Sequence, residues 1–141
     1  MVEGCQILVS KYRYLSIVDD ESDITMLFHD ALKSIPGITI FSFTEPQLAL
    51  AHFITNKSVY FLVIADFRMP ELNGMKLLKK IKDLNPFVRT ILMTAFSLDD
   101  KILKEYGKRQ IINVFLQKPI RLDDLRDEVN NQLHTYELRK K

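Results

Sequence analysis

The fold is decided by the stretch VYFLVIAD at residues 59–66, in which seven apolar side chains precede one aspartate. Side chains alternate between the two faces of a β-strand, so a strand that is apolar at every position must be buried on both faces. Such a strand is typical of a parallel sheet that is covered by helices on both sides. We therefore predict a central parallel strand that ends in a carboxylate.

Four further apolar runs of strand length lie on either side of this one in the chain, at residues 14–18, 38–43, 88–93 and 111–116. Between the strands, apolar residues recur at three- and four-residue spacing, the period of an amphipathic helix. This spacing predicts helices over residues 23–35, 48–54, 75–84, 98–106 and 122–138, with turn-forming prolines or glycines after several of them. Five strands that alternate with five helices predict a doubly wound α/β domain with a five-stranded parallel sheet.

Length and composition favour a single domain that is neither a membrane protein nor a nucleic-acid-binding protein. The 141 residues, 47% of them hydrophobic, can bury one core, and 20 basic against 18 acidic residues leave a net charge of only +2. Cys5 is the one cysteine, and the start of the chain has neither a signal peptide nor a membrane span, so we expect a cytoplasmic protein. We expect an N-terminal extension over residues 1–11, a domain over residues 12–139, and no effector domain.

Reactive side chains stand where the predicted strands end. In open α/β sheets, sites form at the carboxyl ends of the strands. Here those ends carry three carboxylates, a hydroxyl and an amine, namely Asp19, Asp20, Asp66, Thr94 and Lys118. We expect the five groups to converge at one edge of the sheet.

Four short strings carry a resemblance to a known family. They are IVDDE at residues 17–21, DFRMP at 66–70 with NG at 73–74, MTA at 93–95, and KP at 118–119. Each string alone is weak evidence, but together, in this order and at strand ends, they resemble the signature of response regulator receiver domains over roughly residues 12–139. The resemblance implies a flavodoxin-like (βα)5 fold and a phosphorylation-controlled signalling switch.

The resemblance also implies the chemistry of the site. Asp66 is the expected phosphoacceptor, with a sensor histidine kinase or a histidine phosphotransfer protein as the donor. Three neighbouring carboxylates would repel one another without a hard cation, and oxygen ligands suit Mg²⁺. Asp20 and Asp66 are expected to bind it directly, Asp19 through a water, and Arg68 through its backbone carbonyl. Lys118 is expected to pair with Asp66 and then with a phosphoryl oxygen, and to precede a cis peptide bond to Pro119.

Further residues are expected to respond to phosphorylation and to set the lifetime of the phosphorylated state. In the resemblance, Thr94, beside Ala95, donates a hydrogen bond to the phosphoryl group, and Phe115 turns inward into the space that Thr94 leaves. The altered surface of the fourth helix, fifth strand and fifth helix then binds a downstream protein or forms a homodimer. Arg68 and Phe96 are expected to slow dephosphorylation, the alternative being that both side chains point into solvent.

Two other classes of protein share such a fold. A phosphotransfer enzyme of the haloacid-dehalogenase type would carry a second carboxylate two residues after its nucleophile, where this chain has Arg68. A flavin-binding module would have a loop rich in hydroxyl groups and glycines after the first strand, where this chain has three acidic residues, DDE at 19–21. The sequence therefore favours a binding module that catalyses only its own phosphorylation and dephosphorylation.

Overall fold

The computed structural model describes residues 12–95 and 100–140, apart from the side chain of Lys140. Within this part the strands are β1 Arg13–Val18, β2 Ile38–Phe43, β3 Tyr60–Asp66, β4 Arg89–Thr94 and β5 Val114–Gln117. The helices are α1 Ser22–Leu32, α2 Pro46–Asn56, α3 Gly74–Leu84, α4 Lys101–Lys108 and α5 Leu122–Lys140. The predicted extension over residues 1–11 lies outside the described part.

The five strands form one parallel sheet in the order β2-β1-β3-β4-β5. This architecture confirms the predicted doubly wound (βα)5 fold. The central strand β3 is buried at all seven positions, as its unbroken apolar sequence requires. The chain winds outward in both directions from the neighbours β1 and β3, so a crevice forms where their carboxyl ends meet.

Two apolar layers enclose the sheet. Val63 and Ala65 of β3 face the layer that contains residues of α2, α3 and α4, whereas Leu62 and Ile64 face the layer that contains residues of α1 and α5. The edge strands β2 and β5 are only partly buried, because each has a neighbour on one side only. Within the described residues, no helix is long and apolar enough to cross a membrane.

The predicted start of the fifth strand is wrong by three residues. Ile111 and Ile112 are buried, but their amides donate to the carbonyl of Tyr106 at 3.0 and 3.3 Å rather than to a neighbouring strand. The left-handed backbone of Gln110, with φ of 59°, turns the chain there. The two isoleucines are apolar because they enter the core after α4, and strand pairing begins only at Val114.

Two of the helix ends that differ from prediction lie near glycines. The first helix ends at Leu32 rather than at residue 35, and Ile35 is buried in the turn before Gly37, whose φ is 81°. Gly107, a predicted helix end, lies inside α4. A Cβ on Gly107 would stand 3.2 Å from Cε2 of Phe115, so this glycine provides room for the aromatic ring rather than a helix stop.

Gly74 sets how closely α3 approaches the end of β3. A Cβ at this position would overlap the backbone carbonyl oxygen of Asp66 and lie 2.8 Å from Cδ1 of Leu92. Its amide donates to the carbonyl of Phe67 at 3.0 Å, while the Asn73 side chain caps α3 by accepting from the amide of Lys76 at 2.9 Å. The first turn of α3 is thereby fixed against the strand end that carries Asp66.

We predict that Gly74→Ala lowers the free energy of unfolding by about 3 kcal/mol, because the added methyl group must displace backbone. The neighbouring variant Asn73→Ala, which removes only the cap, is expected to cost about 1 kcal/mol. Urea unfolding followed by circular dichroism measures both. Equal stability of Gly74→Ala and the wild type would contradict the close approach of α3 to the end of β3.

Candidate functional site

Three acidic side chains meet where β1 and β3 end. Asp19 and Asp20 follow β1 directly, Asp66 is the last residue of β3, and one oxygen from each lies within 4.8 Å of the other two. Asp19 is fully buried and Asp66 is 5% exposed, whereas Asp20 faces solvent. The site is therefore a negatively charged pocket with two inner carboxylates and one at its mouth.

Asp19 is the least satisfied member of the group. Its Oδ1 accepts a hydrogen bond from the amide of Glu21 at 3.0 Å, but its buried Oδ2 has no hydrogen-bond partner among the described residues. Burial is the main cause that raises the pKa of Asp19 to about 6; the charges of Asp66 and Asp20 act in the same direction, while the hydrogen bond from Glu21 and the charge of Lys118 oppose the shift. An unpaired buried carboxylate is costly, and a hard cation with its bound waters would satisfy it. The all-oxygen donor set thus fits Mg²⁺.

Lys118 brings a positive charge to this pocket from the other side of β4. Its Nζ lies 2.6 Å from Oδ1 of Asp66, and its amide donates to the carbonyl of Thr94 at 2.8 Å. Burial alone would lower the pKa of Lys118, but the hydrogen bond and charge of Asp66, with the charges of Asp19 and Glu21, raise it above its ordinary value. The lysine is therefore held charged beside Asp66, and its peptide bond to Pro119 is cis.

A small cavity of about 50 Å³ lies beside the carboxylate of Asp66. Its walls combine a carboxylate, an ammonium group, a hydroxyl and the backbone of two loops. They are formed by Asp66, Phe67, Arg68, Thr94, Ala95 and Lys118. A wider depression of about 380 Å³, lined in part by Asp20, Arg68 and Asn73, lies next to it. A tetrahedral oxyanion in the small cavity would meet donors on one side and the nucleophilic carboxylate on the other.

Thr94 and Phe115 lie on one face of the sheet. Leu92 is paired with Phe115, and side chains two residues apart on a strand share a face, so Thr94 and Leu92 point the same way. Leu92 and Phe115 belong to the apolar layer that also contains Leu103 of α4. Thr94 therefore lies on the same side of the sheet as Phe115 and α4.

The structure brings together the five residues predicted to converge. Arg68 and Ala95 are exposed and line the small cavity, so Arg68 borders the site as well as solvent. Phe96 lies outside the described residues. The sequence reasoning missed the close packing at Gly74. A signal for it existed, since a glycine directly after a capping asparagine brings no benefit to a helix and so indicates close contact with a neighbour.

An apolar surface beside the site was also missed. Ile24, Leu27 and Phe28 of α1 border a depression of about 460 Å³ together with Pro119 and Ile120. The helical spacing predicts that Leu27 lies on one apolar stripe with Ile24 and Phe28, but Leu27 is 48% exposed. The period of the apolar residues predicts where an apolar stripe lies on a helix but not how much of the stripe is buried. Here the stripe extends beyond the core to the rim of the pocket.

Comparison with known proteins identifies relatives over most of the chain. A family model described as the response regulator receiver domain matches residues 15–130. The DNA-binding transcriptional regulator NtrC of Salmonella typhimurium is 32% identical over 108 residues, which are 77% of this chain and 22% of that protein. Sporulation initiation phosphotransferase F of Bacillus subtilis is 31% identical over 119 residues, which are 83% of this chain and 90% of that protein. The chain thus spans about a quarter of the NtrC proteins that it matches.

Solved structures agree with this likeness. A receiver domain protein from Clostridium thermocellum superposes with a TM-score of 0.78 at 30% identity, covering 89% of this chain and 98% of that one. A CheY-like receiver domain protein from Methanospirillum hungatei has a TM-score of 0.79 at 22% identity, covering 91% and 98% of the two chains. The second similarity supports the fold alone.

The raised pKa of Asp19 predicts how the stability of the metal-free protein depends on pH. The folded-state pKa of about 6 exceeds the unfolded value of 3.8. The stabilising contribution of Asp19 to the free energy of unfolding is therefore fully present below pH 3.8 and is lost as pH rises through 6. Asp19→Asn keeps the Oδ1 acceptor and removes the charge, so we expect it to be more stable than wild type at pH 7.5 in EDTA by up to about 3 kcal/mol. Urea unfolding at pH 5 and pH 7.5 measures the difference.

Asp20→Asn is the matched control, because Asp20 is exposed and its neutralisation should have a smaller effect in EDTA. Added Mg²⁺ should stabilise the wild type more than Asp19→Asn. An Asp19→Asn protein that is less stable than the wild type at pH 7.5 without metal would rule out the uncompensated charge.

Proposed function

The chain belongs to the response regulator receiver domain family, and on this basis we propose that it is a phosphorylation-dependent switch of a two-component or phosphorelay system. The phosphoryl group passes from a histidine of a sensor kinase or a histidine phosphotransfer protein to Asp66. One observation carries the proposal: Asp66 faces a small cavity together with Thr94 and with Lys118, whose Nζ lies 2.6 Å from its Oδ1.

The transfer requires little covalent chemistry from the protein beyond the nucleophile. A carboxylate oxygen of Asp66 attacks phosphorus, the phosphorus–nitrogen bond of the donor histidine breaks, and the imidazole leaves with a proton. Lys118 neutralises charge on Asp66 before the transfer and on a phosphoryl oxygen after it. Asp20, Asp66 and the backbone carbonyl of Arg68, with Asp19 through a water, would hold Mg²⁺, and this cation would supply the remaining positive charge.

Phosphorylation adds a charge of about −1.5 to −2 beside Thr94. The Thr94 hydroxyl then donates to a phosphoryl oxygen, and Phe115 moves into the space that it leaves. Because even a Cβ on Gly107 would stand 3.2 Å from the Phe115 ring, the ring fits closely against α4, which supports a coupled shift of this helix. The output surface is formed by α4, β5 and α5, where Ile102 is 60% exposed. This surface binds a downstream protein or a second copy of the chain, and a phenyl ring at position 115 offers no hydroxyl for either contact.

The apolar depression formed by Ile24, Leu27, Phe28, Pro119 and Ile120 supports docking of the phosphodonor at α1. A donor histidine must reach Asp66 within bonding distance, so the donor protein has to cover the mouth of the pocket. Exposed apolar side chains next to a charged cleft are suited to such a contact.

The same site argues against the enzyme and flavin alternatives. The second residue after Asp66 is an arginine, where an enzyme of the haloacid-dehalogenase type would use a carboxylate. A flavin phosphate would meet the acidic ends of β1 and β3. We therefore propose that the protein catalyses only its own phosphorylation and dephosphorylation.

We also propose a cytoplasmic location, because a chain with Cys5 as its one cysteine forms no internal disulfide and suits a reducing compartment.

We predict that acetyl phosphate with Mg²⁺ phosphorylates the wild type, seen as a retarded band on a phosphate-affinity gel. Asp66→Asn should give no such band, because its amide is not a nucleophile, and EDTA should suppress labelling of the wild type. Asp83→Asn removes a carboxylate that pairs with Lys79 on the surface of α3 and should be labelled like the wild type. Failure of the wild type to accept label, or labelling of Asp66→Asn, would refute Asp66 as the phosphoacceptor.

We also propose that Arg68 and Phe96 prolong the phosphorylated state. Arg68 borders the cavity beside Asp66, and the family resemblance predicts that Phe96 lies near the path of the attacking water. The double variant Arg68→Asn/Phe96→Glu should lose its phosphoryl group about tenfold faster, a difference of about 1.4 kcal/mol in activation free energy. Decay of the phosphorylated band after removal of donor measures this, with Arg109→Asn as the surface control. Equal lifetimes of the double variant and the wild type would mean that both side chains only face solvent.

A further inference from the structure

A second polar cavity lies at the opposite end of the sheet from Asp66. It occupies about 500 Å³ where β4 begins and α5 ends. Arg89, the first residue of β4, and Arg139, in the last turn of α5, both line it. The remaining walls include the polar side chains of Gln110, Asn113 and Thr135. The cavity therefore combines two guanidinium groups with neutral hydrogen-bonding groups.

Arg89 is held in place by side chains of α5. Its Nε donates to Oε1 of Gln132 at 2.6 Å, and Nε2 of Gln132 donates to Oε2 of Glu128 at 2.9 Å. Gln132 is only 5% exposed, so this chain of hydrogen bonds is largely shielded from water. A neutral amide orients the guanidinium without neutralising it.

Lys82, in the last turn of α3, adds a third positive charge. Burial is the main cause that lowers the pKa of Lys82 to about 8, and the charges of Arg89 and Arg139 act in the same direction, so Lys82 lies within electrostatic reach of both arginines. Burial also lowers the pKa of Arg89, with Arg139 acting in the same direction and Glu128 opposing it. Throughout residues 12–95 and 100–140, none of the three cations forms an ion pair with a carboxylate.

Helix dipoles explain part of this cluster. Cations are favourable in the last turn of a helix, which is where Lys82 and Arg139 lie. Arg89 is on a strand, however, so a helix dipole does not explain its position. Like charges that are partly buried repel one another more strongly than they do in water. The arrangement is unfavourable by itself and would become favourable with an anion between the charges.

We propose that this cavity binds a small, multiply charged phosphate compound, with Arg89 and Arg139 as the principal ligands and Lys82 as a supporting charge. Guanidinium groups bind phosphate oxygens through paired hydrogen bonds, which favours a phosphate over a single carboxylate. The volume exceeds that of one phosphate and suits a diphosphate or triphosphate group. Asn113 contributes its Nδ2, because its Oδ1 accepts from the amide of Thr90 at 3.0 Å. The proposal does not depend on phosphorylation of Asp66.

The test is calorimetric titration of the full chain with inorganic pyrophosphate at pH 8 in EDTA. We expect saturable binding to one site, weakened about tenfold by Arg139→Gln, which corresponds to about 1.4 kcal/mol. Arg139 is exposed, so this variant should fold normally. Lys80→Gln removes one positive charge from an exposed position of α3 outside the cavity and should leave the affinity unchanged.

Two further readouts separate a built site from general attraction to a basic surface. Amide NMR shifts induced by pyrophosphate should concentrate at Gln110, Asn113 and Thr135 rather than at Asp66 and Lys118. Because the pKa of Lys82 is about 8, binding of an anion at pH 8 should raise the protonated fraction of Lys82, and Lys82→Gln should change the number of protons exchanged on binding. Absence of saturable binding, equal weakening by Arg139→Gln and Lys80→Gln, or shifts centred on Asp66 would overturn the proposal.

Discussion

The ion pair between Lys118 Nζ and Asp66 Oδ1, at 2.6 Å, joins the ends of β5 and β3 across β4. It neutralises only part of the charge at this edge, because Asp19 is buried beside it with an oxygen that has no hydrogen-bond partner. Burial of the apolar residues of β3 on both faces offsets the unfavourable free energy of this charge imbalance. The acidic group therefore has uncompensated negative charge that a cation would neutralise, and the proposed binding of Mg²⁺ and the proposed response to a phosphoryl group would both depend on this charge.

A net charge of +2 conceals a strong separation of charge along the strands. Three carboxylates gather at the carboxyl ends of β1 and β3, whereas Lys82, Arg89 and Arg139 gather near the amino end of β4. The like charges within each group repel one another, and each group is suited to a ligand of the opposite charge. Overall charge was uninformative about either local site, because it averages over distances much longer than a Debye length.

The path from the acidic site to the proposed output surface depends on which face of the sheet each side chain occupies. Thr94 and Phe115 share the face that is covered by α4, and Gly107 leaves room for the Phe115 ring at the end of that helix. Gly74 has a comparable role at the start of α3, where any larger residue would push the helix away from Asp66. Small residues at these two contacts allow the helices to approach the strands closely, and close packing is what turns a local change into a movement of a whole element.

The sequence by itself determined the alternation of strands and helices and the five side chains at the strand ends, because burial of a strand on both faces and the winding of a parallel sheet follow general rules. It could not locate the start of β5, since Ile111 and Ile112 are apolar for core packing rather than for strand pairing. Only the tertiary structure decided that Asp19 is buried with an unsatisfied oxygen, that Leu27 is exposed beside the pocket, and that Arg89 and Arg139, 50 positions apart, line one cavity. Local patterns record whether a residue is apolar or charged, but the surroundings of a charge are set by segments that are distant in the chain.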